Sequence, residues 1–503
     1  MAYEHCAVLI VIVPLMSSFL VALLGWFKRG LCYPLTLAAL FVSFLCSLGI
    51  LDTVIAKGTI HYWQGSWEPP WGIEYVVDYL NGFMLVMLAS IAFVVAIYSK
   101  KSVEQEIPEK IVPFYSVFLL FVTGLIGITV TGDMFNIFVF LEIASLTAYA
   151  LLAIGEDGAP MAVFRYIIMG TIGACFYYLG VGYLYSVTGS LNLADLSQIL
   201  PNLYHNRAVL VALALFTAGI ALKMGLFPLH AWLPDAYTRA PSAVSAIVAP
   251  LMTKVMAYLI IRIMFTLFKR EFIKMLHVTD VMAWLGTFAI LFGGIMALSQ
   301  TDFKRMLCYI IVAEVGYIVG GIGVANPTAI KGAIFHIFND AFMTACLFVV
   351  SGIVMYKTRG HNISDFKGLF RKMPFTATIF MVGALAVIGV PPTCGFFSKW
   401  YLLLGGIEAK HWGFVIALLL CTLINVALFF RVIDKGLYLH ASEHTSEPAG
   451  GHSGPHSEPY PRDEAPLSML IPGLAIAIAI FLIGIFNQAI LKGIIKFAVP
   501  SGL

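Results

Sequence analysis

The feature that most limits what this chain can become is the recurrence, from one end to the other, of apolar runs of about 18 residues or more. Such a run crosses about 30 Å of hydrocarbon as a helix, which satisfies its own backbone polar groups where water cannot. Hydropathy places helices near 7–27, 31–51, 79–98, 111–131, 134–154, 161–187, 208–228, 243–268, 281–300, 306–324, 328–356, 375–403, 411–433 and 467–494. The chain therefore reads as an all-α polytopic membrane protein with about fourteen transmembrane helices. Only 11% of its 503 residues are charged, against about 25% in a soluble domain.

The opening MAYEHC has no basic region before its first apolar run, and Lys28 and Arg29 follow that run. An uncleaved first span is expected rather than a signal peptide. Lys and Arg gather in alternate connections: Lys28 and Arg29, then Lys100, Lys101 and Lys110, then Lys304 and Arg305, then Lys357, Arg359, Lys367, Arg371 and Lys372. The positive-inside rule makes these connections cytoplasmic, and an even span count puts both termini on the non-cytoplasmic side of a cell membrane. The net charge of +3 forms no basic stripe, so a lipid bilayer and not a nucleic acid is the expected surrounding. The eight cysteines contain no CxxC pair and lie in or beside apolar segments. They read as small packing residues, with no metal site, iron–sulfur cluster or other cofactor expected.

Two segments break apolar helices with proline beside a lysine: ALKMGLFPLHAWLP, with Lys223, Pro228 and His230, and AVIGVPPTCGFFSKW, with Pro391, Pro392 and Lys399. Broken helices at corresponding places in two halves point to a transport site near the midplane. Counting spans around them divides the chain into three N-terminal helices (1–110), a five-helix unit (111–268), a second (281–433), a polar His-rich cytoplasmic loop (434–466) and a last helix (467–503). Five is odd, so successive units cross the membrane in opposite senses, as inverted repeats. His440, His444, His452 and His456 in the loop match no closed metal-site spacing.

Within the spans, Glu142 and Glu314 fall on the second helix of each unit and Lys223 and Lys399 on the fourth. Lys254 and Arg431 fall on the fifth, although Arg431 is near a helix end, where it can snorkel to the interface. Each ionised group at mid-bilayer costs roughly 2.5–3.5 kcal/mol, so pairing or internal water must compensate. Ser145 and Tyr149 continue a polar seam from Glu142. Lys223 and His230, seven apart, fall nearly on one helical face. A movable Glu142–Lys223 pair would act as a switch, since burial and an approaching carboxylate push a lysine in opposite directions. Lys254 is far from both helix ends, whereas Arg262 fits snorkelling. His336 and Asp340, four apart, share a face and can bond or exchange a proton. The plain alternatives are a structural ion pair or hydrogen-bonded carboxylic acid at Glu142, a lysine snorkelling to headgroups at Lys254 and a structural histidine at His336.

FVFLEIASLTAY, ALKMGLFPLHAWLPDAYTRAPSAVSAIVAPLMTKVMAY, TDFKRMLCYIIVAEVGYI and AVIGVPPTCGFFSKWYLL resemble the antiporter-like family shared by Mrp-type cation/proton antiporters, where the D-type subunit carries the pattern, by respiratory complex I and by membrane-bound hydrogenases. The resemblance covers roughly residues 80–435. It implies a fourteen-helix fold with two inverted five-helix units, and proton-transfer roles for Glu142, Lys223, Lys254 and Lys399; His336 matches a histidine-containing helix by motif. Asp340 stands where the family commonly has a second histidine, Thr344 where it often has lysine, and Glu314 where relatives tend to carry Gln or His. The chain also stops soon after 494, without a long lateral helix.

The expectation is thus a proton-translocating subunit of a multisubunit Na⁺/H⁺ antiporter, working with other membrane subunits through Glu142, Lys223, Lys254, Glu314, His336, Asp340 and Lys399, with Glu142 or Glu314 as an oxygen donor to Na⁺. The alternatives are the same part in a redox-driven, complex I-like or hydrogenase assembly, and a non-conducting scaffold. No motif supports bound redox chemistry, so electron transfer would belong to partner subunits.

Overall fold

The computed structural model describes residues 5–155, 158–437 and 463–500; the four loop histidines lie outside them. The N-terminal helices are α1 (Cys6–Phe27), α2 (Cys32–Lys57) and α3 (Tyr79–Glu106). Next come α4 (Ile111–Val130), α5 (Met134–Ala153), α6 (Ala159–Thr188), the short α7 (Leu193–Ile199), α8 (Arg207–Met224), α9 (Trp232–Arg239) and α10 (Ser242–Ile261). After the short α11 (Arg270–Met275) follow α12 (Val278–Leu298), α13 (Phe303–Val324), α14 (Pro327–Thr358), the short α15 (Leu369–Lys372), α16 (Pro374–Ile388), α17 (Cys394–Glu408) and α18 (Trp412–Leu437). Helix α19 (Leu467–Ile485) is the last long helix, followed by short helical segments at Asn487–Ile490, Leu491–Ile495 and Lys496–Ala498.

Among the described residues, thirteen helices are long and apolar enough to cross a membrane. The span expected at 375–403 is two helices, α16 and α17, of 15 residues each. Taken as one interrupted crossing, they bring the number to the fourteen that hydropathy gives.

The closely spaced α4 and α5 are separate because Asp133 caps α5, accepting the Asn136 N–H at 2.7 Å. Such a cap satisfies a donor that the first turn leaves open. An antiparallel hairpin between α2 and α3, β1 (Ile60–Trp63) with β2 (Glu74–Val77), was not anticipated. Its alternation is too short to register beside the flanking apolar runs.

Small residues let helices approach backbone to backbone. A Cβ on Gly286 would lie 2.4 Å from Gly320 N, and one on Gly293 2.6 Å from Ala313 N, so α12 and α13 pack in close contact. Gly219 of α8 meets Gly173 of α6 in the same way, its Cβ position 2.6 Å from the Gly173 carbonyl. At the centre, α10, α13 and α14 are enclosed by other helices. Their charged side chains are thus shielded from lipid and must find partners inside.

Candidate functional site

Both broken helices end in the same local geometry. Gly225 has φ 72° and Gly389 φ 91°, a left-handed conformation that glycine adopts without a Cβ penalty. Beyond each, an N–H reaches back across the turn: Leu226 to the Ala221 carbonyl at 3.0 Å, and Val390 to Leu385 at 2.9 Å. These are the 6→1 bonds of Schellman ends. Pro228 follows the first stop, and Pro391 with Pro392 the second; none can resume a helix by donating. Lys223 sits in the last turn before the first break, Lys399 in the second turn after the other.

In the first centre, Lys223 is 1% exposed and donates to Ser145 Oγ at 2.6 Å, while Glu142 Oε1 stands 3.5 Å away. The Glu142 side chain is 30% exposed. Tyr149 continues the seam, packing edge-on against Tyr166 at 4.6 Å, its hydroxyl buried without a hydrogen-bond partner among the described residues.

The second centre is closed. Glu314 Oε2 meets His336 Nε2 at 2.6 Å and Glu314 Oε1 meets Lys399 Nζ at 3.3 Å, so both carboxylate oxygens face donors. His336 Nδ1 lies 2.9 Å from Ser398 Oγ. Lys399 also donates to the Val387 carbonyl at 2.5 Å, a group that the break of α16 leaves without its helical partner, and stands 4.6 Å from the Tyr317 ring. A cation at Glu314 would have to displace one of these donors.

Between the two, Lys254 and Asp340 form an ion pair of 2.7 Å with side chains 0% and 1% exposed. Asp340 also accepts from Thr344 Oγ1 at 2.8 Å. The structure thus brings the seven charged candidates into three clusters.

Three expectations need correction. Lys223 and His230 do not share a helical face, because Gly225 ends α8; His230 lies in the turn, between the rings of Phe227 and Phe292 at 5.5 and 4.8 Å. His336 and Asp340 share a helix yet turn to different neighbours, His336 to Glu314 on α13 and Asp340 to Lys254 on α10. Arg262 does not snorkel: it meets Asp78 at 2.5 Å and donates to Tyr258 Oη at 3.1 Å, which holds the end of the α10 span to the cap of α3. Arg431, which position alone matched to Lys254, donates to the carbonyls of Leu298 and Gln300 at 2.8 and 2.9 Å. It closes the end of α12 and stands apart from the three clusters.

Sequence reasoning missed Ser398 and Tyr317. Both were accessible: Ser398 adjoins Lys399, and Tyr317 follows Glu314 by three residues, one helical step.

A family model for the transmembrane region of NADH:quinone oxidoreductase and Mrp antiporters matches residues 131–425, more than half of the chain. The chain belongs to this family. It is similar to NADH-quinone oxidoreductase subunit N of Desulforudis audaxviator, 42% identical over 99% of both chains. It is also similar to the D-type subunit of the Na⁺/H⁺ antiporter of Alkalihalophilus pseudofirmus, 32% identical over 81% of this chain and 82% of that one. Among solved structures, a chain of an archaeal membrane-bound sulfane sulfur reductase matches with TM-score 0.89 and 28% identity, over 99% of this chain and 97% of that one. A chain of the Mrp complex of a Dietzia species shares the fold, with TM-score 0.87 and 23% identity over 100% and 98% of the two chains. The family fold of many membrane-spanning helices is therefore the fold of this chain.

Proposed function

We propose that this chain is a proton-translocating membrane subunit of a multisubunit Na⁺/H⁺ antiporter, with protons passed among Glu142–Lys223, Lys254–Asp340 and Glu314–His336–Lys399. The observation that carries the reading is the fully buried Lys254–Asp340 pair between two lysine–carboxylate centres, each at a helix break. Buried charges at this depth are expensive, and several kcal/mol of burial is hard to account for by packing alone. The breaks supply backbone groups that a hydrated cavity can satisfy. The units 111–268 and 281–433 are then two oppositely oriented halves meeting at Lys254 and Asp340.

Glu142 supports the multisubunit part of the proposal. A carboxylate 30% exposed on the side of a membrane helix calls for a neighbouring membrane subunit to cover it. It is also the better oxygen donor to Na⁺, since both oxygens of Glu314 already face nitrogen donors. The alternating Lys and Arg connections favour a cell membrane with both termini on the non-cytoplasmic side.

A second reading places the same part in a redox-driven complex. The 42% identity to a quinone oxidoreductase subunit over 99% of each chain favours it. The test is reconstitution of the complete complex into vesicles, with proton and Na⁺ movement followed for wild type and Lys223→Ala. Unchanged movement in the variant overturns the proton-transfer proposal. Na⁺ exchange driven by an imposed pH difference, without an electron donor, selects the antiporter reading; movement only during electron transfer selects the other.

A further inference from the structure

At the end of the molecule that carries the Lys and Arg connections, a cavity of about 290 Å³ opens between four helices. Gln105 and Glu106 come from α3, Ile154 from the end of α5, Pro241 from the start of α10, and Tyr356 and Arg359 from the end of α14. No charged centre described above lines it. Glu106 accepts from Ser102 Oγ at 2.7 Å and from the backbone N–H of Ser242 at 2.8 Å. Ser242 is the first residue of α10, the helix that carries Lys254.

Behind Glu106 lies Tyr98, two turns back on the same face of α3 and fully buried, its hydroxyl without a hydrogen-bond partner among the described residues. Three helices converge on it: a Cβ on Gly352 of α14 would lie 1.8 Å from Tyr98 Oη and 2.8 Å from Ser242 Cβ. From that point inward, α14 carries Ser351, Thr344 and Asp340 at spacings that keep one face, and all three are buried. Thr253 of α10, buried and also without a hydrogen-bond partner for its hydroxyl among the described residues, adjoins Lys254. The interval from Ser351 to Thr344 is a rise of about 10 Å, the length that a chain of about three hydrogen-bonded waters would span.

We infer that this cavity is the mouth by which protons from the basic-loop side reach the Lys254–Asp340 pair, with Glu106 as the acceptor at the entrance and Tyr98 as the relay behind it. The inference rests on the proton-translocation reading above. The Glu106 carboxylate takes a proton from water in the cavity and becomes a carboxylic acid. Ser102, Tyr98 and the waters beyond each accept one proton as they release another, so no charge is left behind. The proton arrives at the ion pair, and Glu106 is a carboxylate again. Arg359 and Tyr356 from α14 share the cavity lining with Glu106, Tyr98 stands behind it on its own helix, and the Lys304 ammonium of α13 donates to the Ala240 carbonyl beside the segment that Glu106 caps; Ile107, Ile154 and Pro241 contribute no charge.

Glu106 also caps α10, and the substitutions separate that task from proton transfer. Glu106→Gln keeps a carbonyl oxygen for the Ser242 N–H and loses the titratable proton. In vesicles holding the complete complex, it is expected to slow proton uptake from the basic-loop side by about tenfold or more and to change the pH profile of uptake. Thermal stability should stay near wild type, and Glu106→Asp should restore much of the rate. Tyr98→Phe, which touches no cap, is expected to slow uptake several-fold and decides the matter if Glu106→Gln fails to fold. Wild-type rates and pH profiles in both variants overturn the inference. Lys223→Ala, measured beside them, separates the two failures: if only the Glu106 and Tyr98 variants are silent, the entrance is elsewhere, and if Lys223→Ala is silent too, the translocation reading itself falls.

Discussion

In the first centre the Glu142 carboxylate is 30% exposed and stands 3.5 Å from Lys223, with the Ser145 hydroxyl as the nearer partner; in the second, Glu314 is 1% exposed and sits between His336 at 2.6 Å and Lys399 at 3.3 Å. A long contact whose carboxylate is uncovered on one side can exchange the lysine for a group of a neighbouring subunit. A buried carboxylate between two donors cannot lose one without leaving charge uncompensated. The two centres carry similar residue types on helices broken in the same way, so the difference lies in enclosure. In the proposed proton-translocating role, the first centre is the one open to changing partners with its surroundings and the second the one that would hold a proton inside.

Removing the carboxylate tests this difference most severely. Glu314→Ala leaves His336 and Lys399 without their anion and is expected to destabilise the complex by about 3–5 kcal/mol, read from unfolding in detergent. If it unfolds no earlier than Glu142→Ala does, the centres are energetically alike and the contrast is wrong. Glu142→Gln should separate stability from transport: unfolding shifts by about 1 kcal/mol or less, while proton movement in vesicles falls more than about tenfold. Equal losses in both measurements would make Glu142 a structural brace.

Ser145→Ala sharpens the comparison further. It removes the 2.6 Å bond to Lys223 and leaves the lysine to Glu142, for about 1 kcal/mol of stability. A changed pH profile of proton movement is expected, and a profile superimposable on wild type would show that the hydroxyl plays no part. The smallest effect concerns the breaks themselves. Alanine at either left-handed glycine is strained by about 1 kcal/mol. At Gly225 the new Cβ would lie 2.8 Å from Leu233 Cδ1, whereas at Gly389 its nearest neighbour is Lys399 Cδ at 3.4 Å. Gly225→Ala should therefore be the more destabilising in the same unfolding measurement; the reverse order would point to tighter packing around the second break.

The sequence was informative about helices and about which charges they carry, because hydropathy and the position of a lysine in an apolar run are local facts. Helix α5 at Met134–Ala153 and α13 at Phe303–Val324 fall within three residues of the hydropathy bounds. Partner choice was much less legible. His336 and Asp340 look like natural partners from their spacing, yet a side chain's partner is set by the helix packed against it, here α13 for one and α10 for the other. Arg262 looked like a snorkelling residue because Asp78, its partner, is remote in sequence. His230 was misplaced for a local reason: Gly225 stops α8 at Met224, four residues short of the hydropathy bound at 228.

The separation of Lys254 from Asp340 has a consequence for how the protein is made. The lysine enters the membrane on α10, and its carboxylate follows some 86 residues later on α14. At about 5–20 residues per second of synthesis, Lys254 waits roughly 4–17 s for its partner. During that interval it bears the roughly 2.5–3.5 kcal/mol insertion penalty of a lone ammonium in a bilayer. Assembly of the nascent chain thus passes through a stage in which an insertase, or early association with the helices already in place, must shelter one side chain until translation delivers its counter-ion.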